Sequence, residues 1–250
     1  MGEGSVQRGP RSTAALIVLA IGAAVLFAGF MALGVWQVKR LSWKVDLMAR
    51  VDQRVHASPV EAPGPAQWPQ VNAQADEYRH VRASGTLLHD RETLVQASTE
   101  LGPGFWVLTP LRRVDGTVVL VNRGFVPPDH RDRATRTANE PQGLITVKGL
   151  LRVTEPGGGF LRQNDPVGQR WYSRDVQAIG AAQGLSRVAP YFVDAEAELG
   201  QVENWPVGGL TVIAFKNNHL VYAITWFALA LMVLGGAWIV ARAECRLMRR

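Results

Sequence analysis

A chain of 250 residues, 47% hydrophobic and 19% charged, has room for one ordinary domain plus extra segments, and is not apolar enough throughout to be a polytopic transporter. Its formal net charge of +6 suggests a polyanion partner only until the charges are located. The excess comes from Arg8 and Arg11 against Glu3, from Lys39 and Arg40, and from Arg242, Arg246, Arg249 and Arg250 against Glu244; residues 41–240 sum to zero, so no nucleic-acid partner is expected.

In chain order, Thr13 to Trp36 carries no charged residue, and neither does Leu220 to Val240. Each reaches the roughly 20 apolar residues that cross about 30 Å of hydrocarbon as a helix. The first run is longer than a secretory h-region and leads into Trp36-Gln37-Val38-Lys39-Arg40, which is no A-x-A-like cleavage site, so it reads as an uncleaved anchor. Basic residues in short flanking segments stay cytoplasmic, and both tails are basic. Lys39, Arg40 and Lys44 on the far side oppose this, but the two tails agree. The expected organisation is therefore a cytoplasmic tail (1–12), a transmembrane helix (13–38), an extracytoplasmic domain (39–216), a second transmembrane helix (217–240) and a basic cytoplasmic tail (241–250). Only about a dozen residues precede Thr13, with no organellar targeting pattern, which points to a bacterial inner membrane with lipid headgroups met by the basic tails.

Residues Trp36 to Arg54 mix apolar and charged side chains at helical spacing and predict that the first helix continues or breaks into an interfacial one, with Trp36 and Trp43 in the headgroup layer. Four prolines make Ser58 to Gln70 a loop. Strand-like runs follow at Tyr78 to Leu88, Trp106 to Val114, Thr117 to Val126, Ile145 to Val153, Pro190 to Asp194 and Leu210 to Phe215, with one short helix at Ser173 to Gln183. Asp115-Gly116 predicts a hairpin turn with positive φ at both positions, and Gly157-Gly158-Gly159 a flexible turn. The fold class is a membrane-anchored α+β protein: two terminal transmembrane helices flanking a mostly antiparallel β-rich domain, a sheet or open barrel with one or two helices.

Enzyme signatures are missing. The sequence has no G-x-S-x-G, H-E-x-x-H, phosphate-binding G-x-x-x-x-G-K or C-x-x-C motif. Its single cysteine, Cys245, lies in the C-terminal tail, so the central domain can form no disulfide and cannot offer paired thiolates to copper. His89-Asp90-Arg91-Glu92 and Asp129-His130-Arg131-Asp132 resemble metal-ligand material, but fall in predicted turns where such sequences are common. The exception is His219, in Asn218-His219-Leu220-Val221-Tyr222-Ala223-Ile224-Thr225-Trp226-Phe227 at the mouth of the second apolar run, with Asn217 or Asn218 as N-cap. At 100° per residue His219, Tyr222 and Trp226 share a face, near the line of Ala223, Ala230 and Ala237. Such a face suits an interfacial anchor, the weightier reading from residues alone, or a haem-iron ligand with aromatic and small neighbours. On the first helix Ala24, Ala28 and Ala32 form a small-residue stripe for close helix contact. Gln37, Arg40 and Lys44 lie along one face at the outer surface, where they can meet headgroups or an anionic group such as a propionate.

With these residues in hand, the chain resembles the surfeit-locus (Surf/Shy) family of cytochrome c oxidase assembly proteins. The resemblance rests on Gly34-Val35-Trp36-Gln37 with Arg40 and Lys44, on Tyr78-Arg79 leading to Gly85, and on Gly104-Phe105-Trp106-Val107-Leu108-Thr109-Pro110-Leu111. It continues through Val121-Asn122-Arg123-Gly124-Phe125-Val126-Pro127 and Trp171-Tyr172 with Asp175, and ends on the asparagine-histidine to tryptophan-phenylalanine run, all in family order. It implies a non-enzymatic assembly factor for haem-copper oxidase, with subunit I as partner and haem A synthase as a further one, and haem a as a transient cofactor. It also implies that His219 holds the haem; the helical faces would set Tyr222 and Trp226 beside it and Gln37 and Arg40 on the propionate side. Two other readings stay open: a haem-free scaffold that stabilises immature subunit I, and a membrane-anchored enzyme built on His89 or His130.

Overall fold

In the absence of water, a membrane-spanning segment must satisfy its backbone internally, and both apolar runs do so as helices. In the computed structural model, which describes residues 11–159, 161–197, 205–211 and 217–249, α1 runs unbroken from Thr13 to Val55 and α4 from His219 to Met248. Both are long and apolar enough to cross a membrane. At 1.5 Å per residue α1 is about 64 Å long, roughly twice the hydrocarbon thickness, so the charged stretch after Trp36 extends the helix and does not break it. The chain divides into two compact units, one combining the terminal segments up to Ala49 and from Ala214, the other comprising Arg50–Ile213.

In the terminal unit the helices are antiparallel and touch through residues spaced three and four apart. On α1, Leu16, Ala23, Phe27, Phe30, Gly34, Gln37 and Leu41 lose accessibility; on α4, His219, Ala223, Trp226, Ala230, Val233, Val240 and Glu244 do. This 3.5-residue period is that of a left-handed helix pair. The stripe Ala24, Ala28 and Ala32 is exposed, which corrects the expectation that it forms the contact. Lipid tails are as apolar as the helices, so shape decides which face packs. Gly34 admits the Phe227 ring, which would lie 2.5 Å from a Cβ at that position. At the far end of the pair, the Arg11 backbone N–H donates to Glu244 Oε2 at 3.1 Å and its guanidinium stands 3.6 Å from Oε1.

In the central unit, β1 (Val60–Glu61), β2 (His80–Leu87), β3 (Thr93–Thr99), β4 (Gly102–Arg112), β5 (Val118–Val126), β6 (Ile145–Val153) and β9 (Val188–Ala195) form one sheet in the order β1-β2-β6-β9-β5-β4-β3. A further pairing, Thr86 with Arg112 and Leu87 with Leu111, joins β2 to β4 and closes five strands into a barrel. The pairing is antiparallel except for β5 with β9 and β1 with β2. Alternation divides the apolar residues between two cores. Val81, Ala83, Leu87, Leu111, Val119, Val121, Leu151, Tyr191 and Val193 make one. Leu108, Leu120 and Phe192, facing the other way, pack with Val95, Trp171, Val176 and Ile179. The last two belong to α3 (Val176–Ala182), capped by Asp175, whose carboxylate accepts from Ala178 N. A one-turn helix, α2 (Ala73–Asp76), precedes β2.

Several expectations change. The hairpin at Asp115-Gly116 forms, but only Gly116 has positive φ, at 77°. The turn spans Arg113 to Thr117, and the Asp115 carboxylate accepts from the Thr117 N–H and hydroxyl, which lowers its pKa. The glycine tract is a strand, β7 (Gly158–Gly159), paired with β8 (Arg162–Gln163). The proline-rich segment contributes β1 and packs Ala62 and Trp68 on the first core. Its Pro63 carbonyl accepts from Trp68 Nε1 at 3.0 Å and from the Tyr191 hydroxyl at 2.7 Å. Strand β3, unforeseen, forms where Thr93-Leu94-Val95 follows the His89–Arg91 turn. Of the expected final strand, residues 212–216 lie outside the described residues, and Leu210 and Thr211 are not in a strand.

Candidate functional site

The polar layer of the helix pair comes from two residues that would each be costly alone at membrane depth. Gln37 is buried on α1, and His219 opens α4. His219 Nδ1 donates to Gln37 Oε1 at 2.8 Å. With the amide oxygen as acceptor, the neutral form of the imidazole has its proton on Nδ1 and its lone pair on Nε2. One layer deeper is the contact between Gly34 and Phe227, followed by the stack of Phe30 on Trp226, with ring centroids 5.8 Å apart and planes at 27°. Ala223 is buried between these layers, and Ala230 is buried one turn beyond Trp226. The result is an imidazole fixed by one nitrogen above a short column of aromatic and small side chains.

The other expected site residues are placed differently. Tyr222 is 54% exposed, outside the contact with α1. Arg40 is exposed and lies over the Trp43 ring, 5.0 Å from its centroid. Asn218 stands at the N-cap position without a side-chain cap bond, while Asn217 Oδ1 is buried with no hydrogen-bond partner among the described residues. The chemistry of this set fits an iron porphyrin. A neutral imidazole with Nδ1–H bonded to an oxygen acceptor is the usual state of a histidine that ligates metal through Nε2, and flat apolar rings with small neighbours suit a macrocycle. What spacing did not reveal is that Gln37 serves the histidine. The heptad run 30-34-37-41 against 219-223-226-230 carries that signal, since it sets Gln37 and His219 in one antiparallel layer.

The remaining histidines lie in the central unit. His89 is buried, with Nε2 bonded to the Pro141 carbonyl at 3.0 Å and Nδ1 3.3 Å from Arg123 Nη1. His130 lies against Trp205, its centroid 5.6 Å away. His56, just past the end of α1, bonds back to the Asp52 carbonyl, and His80 sits between the Ala57 carbonyl and Glu196. Among the described residues no group of three His, Cys, Asp or Glu side chains could hold a metal ion.

The most heavily bonded polar site of the central unit is Asp194, 3% exposed. It accepts from Asn122 Nδ2 at 2.8 Å, Arg152 Nη1 at 2.9 Å, Arg174 Nη1 at 3.2 Å and Thr211 Oγ1 at 3.1 Å. Glu77 and Glu155 take the other faces of the two guanidiniums, which also lie over the Tyr78 and Phe192 rings. Burial alone would raise the Glu155 pKa, but the bond and charge of Arg174 more than offset it and hold it below the ordinary carboxylate value. Asn122-Arg123-Gly124 is explained here: the Asn122 oxygen accepts from Gly124 N, and Gly124 has φ 133° with the Val207 carbonyl where a Cβ would be.

A small closed β barrel and two terminal helices long and apolar enough to cross a membrane, with a polar layer contributed by both helices, define a class: a membrane-anchored β-rich protein. Comparison with known proteins makes the class specific, since the model of the SURF1 family matches residues 24–231. The chain is 33% identical over 215 residues to human "Surfeit locus protein 1", covering 79% of this chain and 69% of that protein. It is 33% identical over 225 residues to a "SURF1-like protein" of Monosiga brevicollis, covering 85% and 83%, and 32% identical over 215 residues to the Takifugu rubripes protein, covering 79% and 86%. The chain belongs to the SURF1 family.

Proposed function

We propose that this protein assists the assembly of haem-copper cytochrome c oxidase, without enzymatic chemistry of its own, by holding haem a at His219 for subunit I. Membership of the SURF1 family supports the assembly role. The single observation that favours a haem site is the 2.8 Å bond from His219 Nδ1 to Gln37 Oε1, which directs the lone pair of Nε2 outward as a ligand. When bound, haem would supply an iron able to accept the imidazole Nε2 as a ligand. The protein's own residues do the rest. Gln37 holds the proton on Nδ1, Phe30 and Trp226 offer flat apolar surface, and Arg40 presents a guanidinium at the outer surface for a propionate. Haem A synthase, in the same membrane, is the donor in this reading. A single histidine ligand on a two-helix surface binds moderately, so the oxidase site wins by mass action.

In this reading both ends lie in the cytoplasm and the barrel on the other side of a bacterial inner membrane, an orientation supported by the basic residues Arg242, Arg246 and Arg249. The test of function is complementation of cells lacking this protein. His219→Ala should leave subunit I made but poor in haem a, with oxidase activity lost in proportion. Full haem a content with this variant would exclude the carrier reading in favour of a scaffold.

A further inference from the structure

We infer that Gln37 is a positioning residue for the His219 imidazole, setting its tautomer and aim before any ligand arrives; this rests on the haem-site reading for its purpose but not for its test. Gln37 is 9% exposed, and its oxygen meets Nδ1 at 2.8 Å. A neutral histidine free in water exchanges its proton between two nitrogens, and either tautomer leaves one lone pair. Only Nδ1–H puts the lone pair on Nε2, the nitrogen farther from the helix backbone and the one able to reach a ligand beyond the α4 surface. As the amide is oriented, its oxygen faces Nδ1 and would be a buried acceptor without a donor if that nitrogen were unprotonated; the other tautomer requires the amide to turn over and present its NH2.

The packing explains why this glutamine holds its place. Gly34, one turn earlier on α1, is filled by the Phe227 ring, and Phe30 stacks on Trp226 two turns earlier. These contacts fix the rotation of α1 against α4, so the Gln37 side chain is aimed by the helix pair. Arg40 and Lys44 lie further along α1, but the amide of Gln37, neutral at any pH, makes the bond, so the preference does not depend on titration of an acceptor.

The tautomer is read in the haem-free full-length protein by ¹⁵N NMR of histidine-labelled material in micelles, with His219 identified by its loss in His219→Ala. The expected result is Nδ1–H in the parent, loss of that preference in Gln37→Leu, and its retention in Gln37→Glu, whose carboxylate also accepts. An Nε2–H tautomer in the parent, or one unchanged by Gln37→Leu, would overturn the inference. Retention in Gln37→Glu also shows that loss in Gln37→Leu is not unfolding. A haem titration of the same variants should then show binding about 10–100-fold weaker in Gln37→Leu, the range found when a ligand histidine loses its outer partner. Unchanged haem affinity beside a lost tautomer would overturn the positioning role. A parent with the Nδ1–H tautomer that binds no haem would refute the carrier reading and leave the Gln37 assignment standing.

Discussion

Asp194 in the barrel and His219 in the helix pair are both polar groups in apolar surroundings, and they are treated in opposite ways. Asp194 accepts from four side chains and its two arginine partners are shared with Glu77 and Glu155, so each charge is opposed and each lone pair occupied. His219 has one nitrogen bonded to Gln37 and the other carrying a lone pair. A saturated network specifies a fold. The His219 imidazole has one nitrogen bonded to Gln37, so the two sites differ in how much of their bonding capacity the described residues use.

The largest expected effect falls on the saturated side. Asp194→Ala leaves Arg152 and Arg174 buried without their shared acid, and should cost about 3–5 kcal/mol. This would appear as a large fall in the thermal midpoint of the detergent-purified protein, read by tryptophan fluorescence. His219→Ala should move that midpoint little. If the two variants were equally damaging, the contrast would fail.

Next in size is Gly34→Leu, which puts a side chain where the Phe227 ring sits and pushes α1 from α4. Haem retention should fall about 10-fold, equivalent to ~1.4 kcal/mol, while the barrel transition stays where it was. A variant that keeps its haem would separate the ligand site from the helix contact.

The smallest effect sharpens the barrel side. Tyr191 donates to the Pro63 carbonyl, and burial raises the pKa of its phenol above the usual 10.0. A raised pKa in the folded state means that stability is whole below pH 10 and declines as pH rises beyond it. Tyr191→Phe should cost about 1 kcal/mol at neutral pH for the lost bond and remove that alkaline decline. Unfolding midpoints measured from pH 8 upward in parent and variant check both signs.

How much of this was legible in sequence differs between the units for a physical reason. The helices declared themselves by uncharged length, and strand β6 by strict alternation from Ile145 to Val153. Barrel closure could not be read, because the link of β2 to β4 is a long-range pairing with no local signature. The proline-rich segment was taken for a plain loop because prolines lack donors, yet the Pro63 carbonyl is an acceptor that ties the segment to the core. Helical angle sets His219 and Trp226 on one face, and that face meets α1. The angle alone also brought in Tyr222, which lies outside the contact, since only the partner helix decides which part of a face is covered. Sequence sets Gln37 on one outer-surface face with Arg40 and Lys44, whereas its bond to His219, 182 residues away, has no local signature.

The most direct measurement is the visible spectrum of the detergent-purified protein made in cells that also make haem A, beside the same protein carrying His219→Ala. The account predicts a haem a band in the parent that weakens or shifts in the variant. A parent without haem, or a band indifferent to the substitution, would contradict it.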